Sequence, residues 1–546
     1  MQILEVIKGG APSGPGRARA HLWVLALPPA SALVLSGVDP SSPPFSGFLA
    51  YLVVCSIAGG IGWWVWRSVA GENPPRWLFP AVLVAVGLRL AVGVGLARAL
   101  PIHGYDEDPQ RAGYVFYDSF ARDEDAWARA RSTQPLLSAF TDRQPTDQYG
   151  GLLFLSMLIY RVLSPDAHRE LLIVVLGASV SALGVVFGWR FADLRFGERP
   201  ARFAAWILVL YPEAVLLASS QMREPFLGTG MAMALWGWAL ARSGQTRRGF
   251  GAIALAGALM LALSPPAALV TVAIVGVGWV WEGGLRVPRR GLVLSGALVL
   301  SILGVLLLWQ AWSTVGDLTG SPLSILRGWW ENVAGEWRLR QLQLDSDWVT
   351  FVFQRTPAWT HVPLALVFGL IHPFLPAALA DNDNALWQAI SIWRSVGWYL
   401  LLPFLLYAPW PAFRVAGGRS LPAFLSTLVW TTAIVAAFRA SSYQWDSPRY
   451  RAVFLVVQAA LAGWSWYHAK SVRSPWLARL AAAVGIATLL ALQWYLGRDS
   501  GRPLLDLPQT VAAIALVGLV LVGGGWAWDR LRGPRNPGLT KGRPDV

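Results

Sequence analysis

Long apolar stretches recur along most of this chain, and they limit the folds that it can adopt. A helix that crosses a bilayer needs about 17–25 predominantly apolar residues. Stretches of that length lie near 21–37, 47–67, 77–99, 170–190, 203–219, 226–241, 249–264, 265–283, 291–313, 387–407, 421–438, 451–468, 476–496 and 508–527. Because 55% of the residues are hydrophobic and only 14% are charged, a soluble fold is excluded. We predict an all-α polytopic membrane protein with about 14 transmembrane helices.

Two further apolar pieces, 149–163 and 361–380, are ambiguous. The first is short, and the second is interrupted by Pro363, Pro373 and Pro376. Basic residues favour the cytoplasmic side of a membrane, and the arginines after residue 189 lie there only if 149–163 dips into the outer face. We therefore predict a non-crossing 149–163, a re-entrant or kinked 361–380, and both termini in the cytoplasm. The outer loops are then 100–169, 314–360 and 439–450.

The second outer loop is predicted to contain an amphipathic helix. Leu326, Trp330, Val333 and Trp337 recur at helical spacing, which is typical of a helix lying on a membrane surface. Such a helix would suit an enzyme with a lipid-linked substrate, and it would equally suit a loop that only covers the bundle.

The formal net charge of +14 would also fit a nucleic-acid-binding protein. However, many of the basic residues fall in the predicted cytoplasmic loops, and the positive-inside rule accounts for that distribution. We expect no nucleic-acid partner. The single Cys55 lies inside an apolar span, so the chain has no intramolecular disulfide.

The first outer loop carries the candidate chemistry. Nine of the chain's 31 acidic residues fall between Leu100 and Gln148. Asp106 and Glu107 come just after the third span, where a carboxylate would act as a general base toward a hydroxyl group. Asp106 and Asp108 also form a D-x-D pair of oxygen ligands that suits a divalent cation, Mg or Mn. A solvated acidic turn is the alternative for all three carboxylates.

Later residues of the same loop have structural interpretations. The charged residues of 118–131 are expected to form the exposed face of a helix; they are Asp118, Arg122, Asp123, Glu124, Asp125, Arg129 and Arg131. Asp147 is expected to cap the helix of 149–163, while Gly150 and Gly151 would allow a close backbone approach. Gln148 is a candidate ligand contact.

Two groups of charged residues elsewhere are candidate phosphate sites. Arg223 and Glu224 lie where one span ends and the next begins, and a guanidinium there would bind phosphate or form an ion pair with the glutamate. Arg449, Tyr450 and Arg451 follow the third outer loop. The two arginines would clamp a phosphate or diphosphate, or they would anchor the next span at the headgroups.

Four features of this arrangement resemble the GT-C superfamily of membrane glycosyltransferases, which includes protein O-mannosyltransferases and aminoarabinose transferases. Asp106-Glu107 opens the first outer loop, and the short piece 149–163 follows it. Glu224-Pro225-Phe226 then ends a return span, and a late outer loop carries Arg449 and Arg451. The likeness covers roughly 77–313 well. Two extra spans precede the Asp-Glu pair, and Thr146-Asp147-Gln148 stands where many relatives have a lysine or a His-Pro-Pro sequence.

The resemblance implies a GT-C-like bundle with amphipathic helices in its outer loops. It also implies inverting transfer of a sugar from a polyprenyl-phosphate donor to a hydroxyl group on the extracytoplasmic face. Asp106 would be the base with Glu107 as its substitute, and Arg223, Arg449 or Arg451 would stabilise the leaving phosphate. The implied enzyme requires no cofactor, with a divalent cation on Asp106 and Asp108 as the alternative. The acceptor is a glycan, a lipid or a protein.

The predicted division follows from these segments. Residues 1–76 hold the N-terminal segment and two extra spans, 77–313 the catalytic core, and 314–360 the second outer loop. Residues 361–527 hold the C-terminal spans and 528–546 a basic tail. Two other functions stay open: a polysaccharide polymerase or ligase, and a transporter or flippase for a lipid-linked saccharide. A transporter would need charges deep in several spans, where only Arg89 and Arg394 clearly qualify.

Overall fold

The computed structural model describes residues 15–39, 41, 44–71, 74–141, 147–283, 324, 354, 356–414, 418–440, 446–499 and 501–531. Every regular element in these ranges is helical. In chain order the α-helices are α1 (Pro15–Val38), α2 (Pro44–Val65), α3 (Leu78–His103), α4 (Asp108–Arg111), α5 (Tyr117–Ala130), α6 (Ser138–Thr141), α7 (Gly151–Leu163), α8 (Leu171–Phe196), α9 (Glu198–Leu210), α10 (Pro212–Ala218), α11 (Glu224–Arg242), α12 (Thr246–Leu263), α13 (Pro265–Trp281), α14 (Ala358–Ile371), α15 (Leu375–Ala380), α16 (Ala385–Tyr407), α17 (Pro409–Arg414), α18 (Leu421–Ala440), α19 (Asp446–Ala452), α20 (Leu455–Ser471), α21 (Trp476–Asp499), α22 (Leu507–Gly518) and α23 (Gly525–Leu531).

Many of these helices are long and apolar enough to cross a bilayer. The described residues contain eight such helices, or nine if the bent pair α9–α10 is one span. The prediction of an all-α polytopic membrane protein is confirmed. The predicted span 291–313 and the predicted surface helix around Leu326–Trp337 lie outside the described residues.

The chain forms two compact units. The first unit comprises Met1–Arg195 and Ala205–Gly276, and the second comprises Phe196–Ala204 and Val277–Val546. In the first unit α1 packs against α2, α5 against α7, and α11 against α12. In the second unit α14 packs against α18, and α15 and α16 both pack against α21. The predicted boundaries at 76, 313 and 360 stay a prediction.

The first outer loop is folded into helices, of which α5 is strongly amphipathic. Its inner stripe follows helical spacing and comprises Ser119, Arg122, Asp123, Ala126, Arg129 and Ala130, all of them buried. The prediction of an exposed charged face is therefore wrong for Arg122, Asp123 and Arg129. It holds for Asp118 and Glu124, which lie on the solvent side.

Helix α7 closes this loop, and two glycines set its position. Its 13 residues span about 20 Å at 1.5 Å per residue, less than the hydrocarbon core of about 30 Å. Gly150 has a φ of +75°, and a Cβ added there would lie 1.9 Å from the Ala139 carbonyl oxygen. A Cβ on Gly151 would lie 2.0 Å from the Ala262 carbonyl oxygen. The close backbone approach expected at these glycines is confirmed.

One predicted span, 203–219, is broken in the structure. Helix α9 ends at Leu210 and α10 begins at Pro212, with a bend of 49° between them. A proline lacks an N–H group and cannot continue the hydrogen-bond ladder. Buried Arg89 of α3 compensates: its Nη2 donates to the Leu208 carbonyl at 2.9 Å and its Nη1 to the Val209 carbonyl at 3.2 Å. This arginine therefore has a structural role in the first unit.

The N-terminal hairpin α1–α2 is joined to the end of the outer loop by a buried arginine. Arg169 donates from Nη2 to Ser46 Oγ at 2.9 Å and from Nη1 to Asp166 Oδ1 at 2.7 Å. Ser46 Oγ also donates to Asp166 Oδ2 at 2.7 Å. Because these three side chains form one closed network, the hairpin is an integral part of the first unit.

Candidate functional site

The acidic turn after α3 is open to solvent. The side chain of Asp106 is 88% exposed, and its Oδ1 accepts a hydrogen bond from Arg111 Nε at 2.6 Å. Asp108 lies 3.6 Å from the same guanidinium, and Glu107 accepts a bond from Gln110 at 3.3 Å. The hydrogen bond from Arg111, together with its charge, holds the pKa of Asp106 below the ordinary value. The carboxylate is therefore ionised at neutral pH and accessible to a substrate.

Asp147 bonds to the start of α7 as predicted, although Gly150 occupies the N-cap position itself. Asp147 is buried, and its Oδ2 accepts a hydrogen bond from the Leu153 backbone N–H at 3.1 Å. Its Oδ1 accepts a bond from the Tyr149 N–H at 3.2 Å. Gln148 lies beside it with an exposed side chain. Asp147 thus satisfies backbone donors at the start of α7, while Gln148 is accessible to a ligand.

Arg223 and Glu224 lie together at the start of α11, where the outer loop covers them. The guanidinium of Arg223 lies 5.4 Å from the centre of the Tyr149 ring, and Glu224 is buried. Behind them is the buried guanidinium of Arg122, which donates to the Gln221 carbonyl. The structure therefore brings the predicted Arg223–Glu224 pair near two parts of the first outer loop: Tyr149, which precedes α7, and Arg122 of α5.

Charge surrounds Arg122 on several sides. Its burial lowers its pKa, whereas the carboxylates of Asp147, Asp123 and Glu224 act in the opposite direction. The neighbouring Arg223 adds to the lowering. Two guanidinium groups and three carboxylates thus lie close together around Arg122. A phosphate bound at Arg223 would add its negative charge to this group.

The third predicted group belongs to the second unit. Arg451 is 1% exposed, donates from Nη1 to the Leu370 carbonyl at 3.1 Å, and also donates to the His372 carbonyl. Its guanidinium lies 3.8 Å from the centre of the Trp398 ring. Arg449 and Tyr450 are partly exposed. Arg451 thus serves the carboxyl end of α14, and the phosphate role of all three residues stays a prediction.

A buried aspartate on α5, which was not among the predicted site residues, organises the first outer loop. Asp123 is 0% exposed and accepts three hydrogen bonds: from Tyr114 at 2.6 Å, from Tyr160 at 2.7 Å and from His168 Nε2 at 2.9 Å. The ring of Trp127 stacks on His168 with centroids 5.1 Å apart. The helical spacing of the inner stripe of α5 was the signal for this burial, but charged residues are usually exposed.

Two titratable groups beside Asp123 have raised pKa values. Burial lowers the pKa of His168, but the hydrogen bond and charge of Asp123, with Glu170 and Glu124 nearby, raise it overall. Burial raises the pKa of Glu170 to about 7, although the neighbouring Tyr114 hydroxyl group opposes the change. Glu170, in the segment that joins the loop to α8, therefore titrates near neutral pH.

A divalent cation on Asp106 and Asp108 stays a prediction. Both carboxylates face Arg111, and their D-x-D spacing supplies two side chains. Among the described residues, no group of three or more His, Cys, Asp or Glu side chains is arranged to hold a metal ion. A cation there would have to complete its coordination with water and substrate oxygens, as Mg²⁺ commonly does.

Comparison with known proteins gives matches among solved structures. Two structures of the archaeal oligosaccharyltransferase AglB from Archaeoglobus fulgidus align with a TM-score of 0.37. One, in complex with an inhibitory peptide and a dolichol-phosphate, is 14% identical over 83% of this chain and 55% of that chain. The other, tethered with an acceptor peptide, is 13% identical over 83% and 54%. This chain thus spans about half the length of the solved structures it matches. Neither a family model nor a curated protein matches the sequence.

Proposed function

We propose that this protein is a membrane glycosyltransferase of GT-C type that transfers a sugar from a polyprenyl-phosphate donor to an acceptor hydroxyl group. The observation that carries the proposal is the docking of the acidic loop on the start of α11. The loop presents ionised Asp106 to solvent, while its Tyr149 lies against Arg223 and its Arg122 donates to the Gln221 carbonyl two residues before Arg223. A proton acceptor and a phosphate-binding guanidinium are thus parts of one folded unit.

In the proposed reaction, the acceptor hydroxyl gives its proton to the carboxylate of Asp106, with Glu107 as the substitute base. The acceptor oxygen forms a bond to the anomeric carbon as the bond from that carbon to the phosphate oxygen breaks. This single displacement inverts the anomeric centre. The lipid phosphate leaves with an added negative charge, which the guanidinium of Arg223 stabilises.

Exposure of Asp106 supports its role as a base for a large acceptor. A carboxylate that is 88% exposed is accessible to a glycan, a lipid headgroup or a protein side chain. Its ion pair with Arg111 keeps it unprotonated and also lowers its basicity, because a lower pKa means weaker proton affinity. The acceptor would therefore have to displace Arg111 from the carboxylate before proton transfer. Gln148 is proposed as a further substrate contact of this unit. The phosphate role of Arg449 and Tyr450, in the second unit, stays a separate prediction.

Sidedness and substrate follow from the same proposal. Loop 100–169 would lie on the extracytoplasmic face, with the basic segments after α8, α11 and α13 in the cytoplasm. The bilayer would deliver the polyprenyl donor to the membrane edge of the first unit.

Sugar transfer in proteoliposomes tests this function. Purified wild-type protein would be given a panel of radiolabelled polyprenyl-phosphate sugars, with and without EDTA, beside Asp106→Asn. Asp118→Asn is the matched control, because Asp118 is an exposed aspartate of the same loop. We expect Asp106→Asn to lose transfer by about 10²-fold or more, the range for removal of a general base, and Asp118→Asn to retain it.

The EDTA arm separates two chemistries. Transfer that is unaffected by EDTA supports a metal-independent base, and transfer that EDTA abolishes assigns Asp106 and Asp108 to a cation. A wild-type protein that transfers no sugar but moves the lipid between leaflets would replace the proposal with transport.

A further inference from the structure

The turn between α10 and α11 has an unusual backbone. Gln221 has a φ of +54°, one of two positive-φ residues other than glycine among the described residues. A side chain with a Cβ is disfavoured in this left-handed region by about 1–2 kcal/mol. Gln221 lies two residues before Arg223, so its conformation sets the direction in which the chain enters α11. Surrounding contacts must hold it there.

Two contacts hold this residue, and both come from the segments around the outer loop. The guanidinium of Arg122 donates to the Gln221 carbonyl from α5. The side-chain amide of Gln221 donates to the Glu170 carbonyl at 3.2 Å, immediately before α8. Gln221 is itself 4% exposed, so water cannot replace either contact readily. The backbone contact depends on Arg122 and the side-chain contact on Gln221.

The position of Arg122 is in turn determined by its own helix. It is 5% exposed and occupies the inner stripe of α5, next to Asp123. Asp123 is bonded to Tyr160 of α7 and to His168, so α5 cannot rotate without breaking those bonds. The turn before Arg223 is therefore held by a rigid part of the outer loop.

We propose that Arg122 is a positioning residue for Arg223. By holding Gln221 in the left-handed conformation, it places the Arg223 guanidinium where it binds the phosphate of the lipid donor. This inference rests on the proposed function and deepens it. Arg122 itself does not touch the donor. Without its bond to the carbonyl, the turn relaxes toward negative φ and moves Arg223 away from the phosphate.

A matched pair of substitutions at Gln221 isolates the backbone conformation. Gln221→Gly and Gln221→Val both remove the amide bond to Glu170 and both keep Arg122. Glycine adopts positive φ without steric cost, whereas a β-branched residue is strongly disfavoured there. Binding of polyprenyl phosphate without a sugar would be measured in nanodiscs by quenching of tryptophan fluorescence. We expect Gln221→Val to weaken binding about tenfold relative to Gln221→Gly.

Arg122→Met removes the hydrogen bond to the Gln221 carbonyl directly. A double variant tests whether that bond acts through the conformation of Gln221. We expect Arg122→Met to weaken binding about tenfold. Addition of Gln221→Gly should recover most of that loss, because glycine adopts positive φ without the hydrogen bond from Arg122. If Arg122→Met does not fold, the Gln221 pair still tests the proposal. Equal affinity of Gln221→Val and Gln221→Gly, or of Arg122→Met and the wild type, would overturn it.

Failure of the proposed function gives a different result. A folded wild-type protein that binds no polyprenyl phosphate would overturn the proposed function together with this inference. A wild-type protein that binds the lipid phosphate, with variants that bind it equally well, would leave the function standing and remove only the role of Arg122.

Discussion

Each unit contains a helix that stops at a proline and a buried arginine that bonds to the carbonyl groups left at that end. In the first unit, α9 ends before Pro212 and Arg89 donates to the Leu208 and Val209 carbonyls. In the second unit, α14 ends before Pro373 and Arg451 donates to the Leu370 and His372 carbonyls.

The two arginines differ in the rest of their surroundings. Arg89 also donates to Ser181 Oγ at 2.8 Å and to the Ala85 carbonyl at 3.0 Å. Each of its three guanidinium nitrogen atoms therefore donates to an acceptor. Arg451 instead places its guanidinium on the Trp398 ring at 3.8 Å, and Trp398 Nε1 donates to the same Leu370 carbonyl at 3.0 Å. A buried arginine in a membrane protein can therefore bond to backbone carbonyls without help from another side chain, as Arg89 does, or together with an aromatic donor, as Arg451 does.

The largest effect should follow from Arg89→Met. This substitution removes the donor to the Leu208 and Val209 carbonyls at the break, and each buried polar group left without a partner costs about 1–3 kcal/mol. We expect a loss of about 4 kcal/mol in stability, measured as the free energy of unfolding in mixed micelles. Arg98→Met is the control, because Arg98 is an exposed residue of the same helix, and it should change the value by about 0.5 kcal/mol or less.

A smaller effect is expected from Arg451→Met, because Trp398 still donates to the Leu370 carbonyl. We expect a loss of about 2 kcal/mol in the same unfolding measurement. Arg449→Met, at a partly exposed neighbour, should change stability little. If Arg451→Met left the unfolding free energy unchanged but abolished binding of polyprenyl phosphate, the predicted phosphate role of Arg451 would replace the structural one.

The smallest expected effect is on the pH dependence of local stability. This dependence should differ between the outer loop and the two helix ends at Pro212 and Pro373. The folded-state pKa values of His168 and Glu170 are raised from ordinary values of 6.5 and 4.5. A group with a raised pKa stabilises the fold below its ordinary pKa and loses that contribution as the pH rises through the raised value. From about pH 5 to pH 8 the loop should therefore lose roughly 1 kcal/mol of local stability.

Amide hydrogen exchange, corrected for intrinsic rates, measures this pH effect. Protection should fall in α5 and α7 as the pH rises, whereas protection near Leu208 and Leu370 should stay constant, because guanidinium groups do not titrate in this range. Glu170→Gln should reduce the pH dependence in the loop. Equal pH dependence in the loop and at the two breaks would contradict the assignment to His168 and Glu170.

The sequence predicts the helical class and much of the span pattern because a long apolar segment is recognisable from its own residues. It also predicts the short α7 and the interruption at Pro373, where length and proline are visible locally. The break at Pro212 was missed because the run 203–219 is apolar on both sides of that proline. The carbonyl groups at this break are satisfied by Arg89, which is more than 100 residues away in the sequence.

The sequence indicates some of the residues that meet at the candidate site, and their role in substrate binding stays a prediction. Arg223 and Glu224 were identified from charge at the junction of two spans, and the structure brings them against Tyr149 and the guanidinium of Arg122. The roles of Arg122 and Asp123 were missed, because burial of charge depends on partners from distant segments. Local spacing places both on one stripe of α5, but only Gln221 and His168 explain why that stripe faces inward.

The bond between Arg169 and Ser46 has a consequence for the order of synthesis. The two residues are 123 positions apart, and a ribosome adds about 5–20 residues per second. Ser46 is thus made roughly 6–25 seconds before Arg169. During that interval neither Ser46 nor Gly47, which fits closely against the Arg169 side chain, has this partner. The hairpin α1–α2 can therefore form its hydrogen bonds to the first unit through Ser46 only after Asp166 and Arg169, at the end of the acidic loop, have been made.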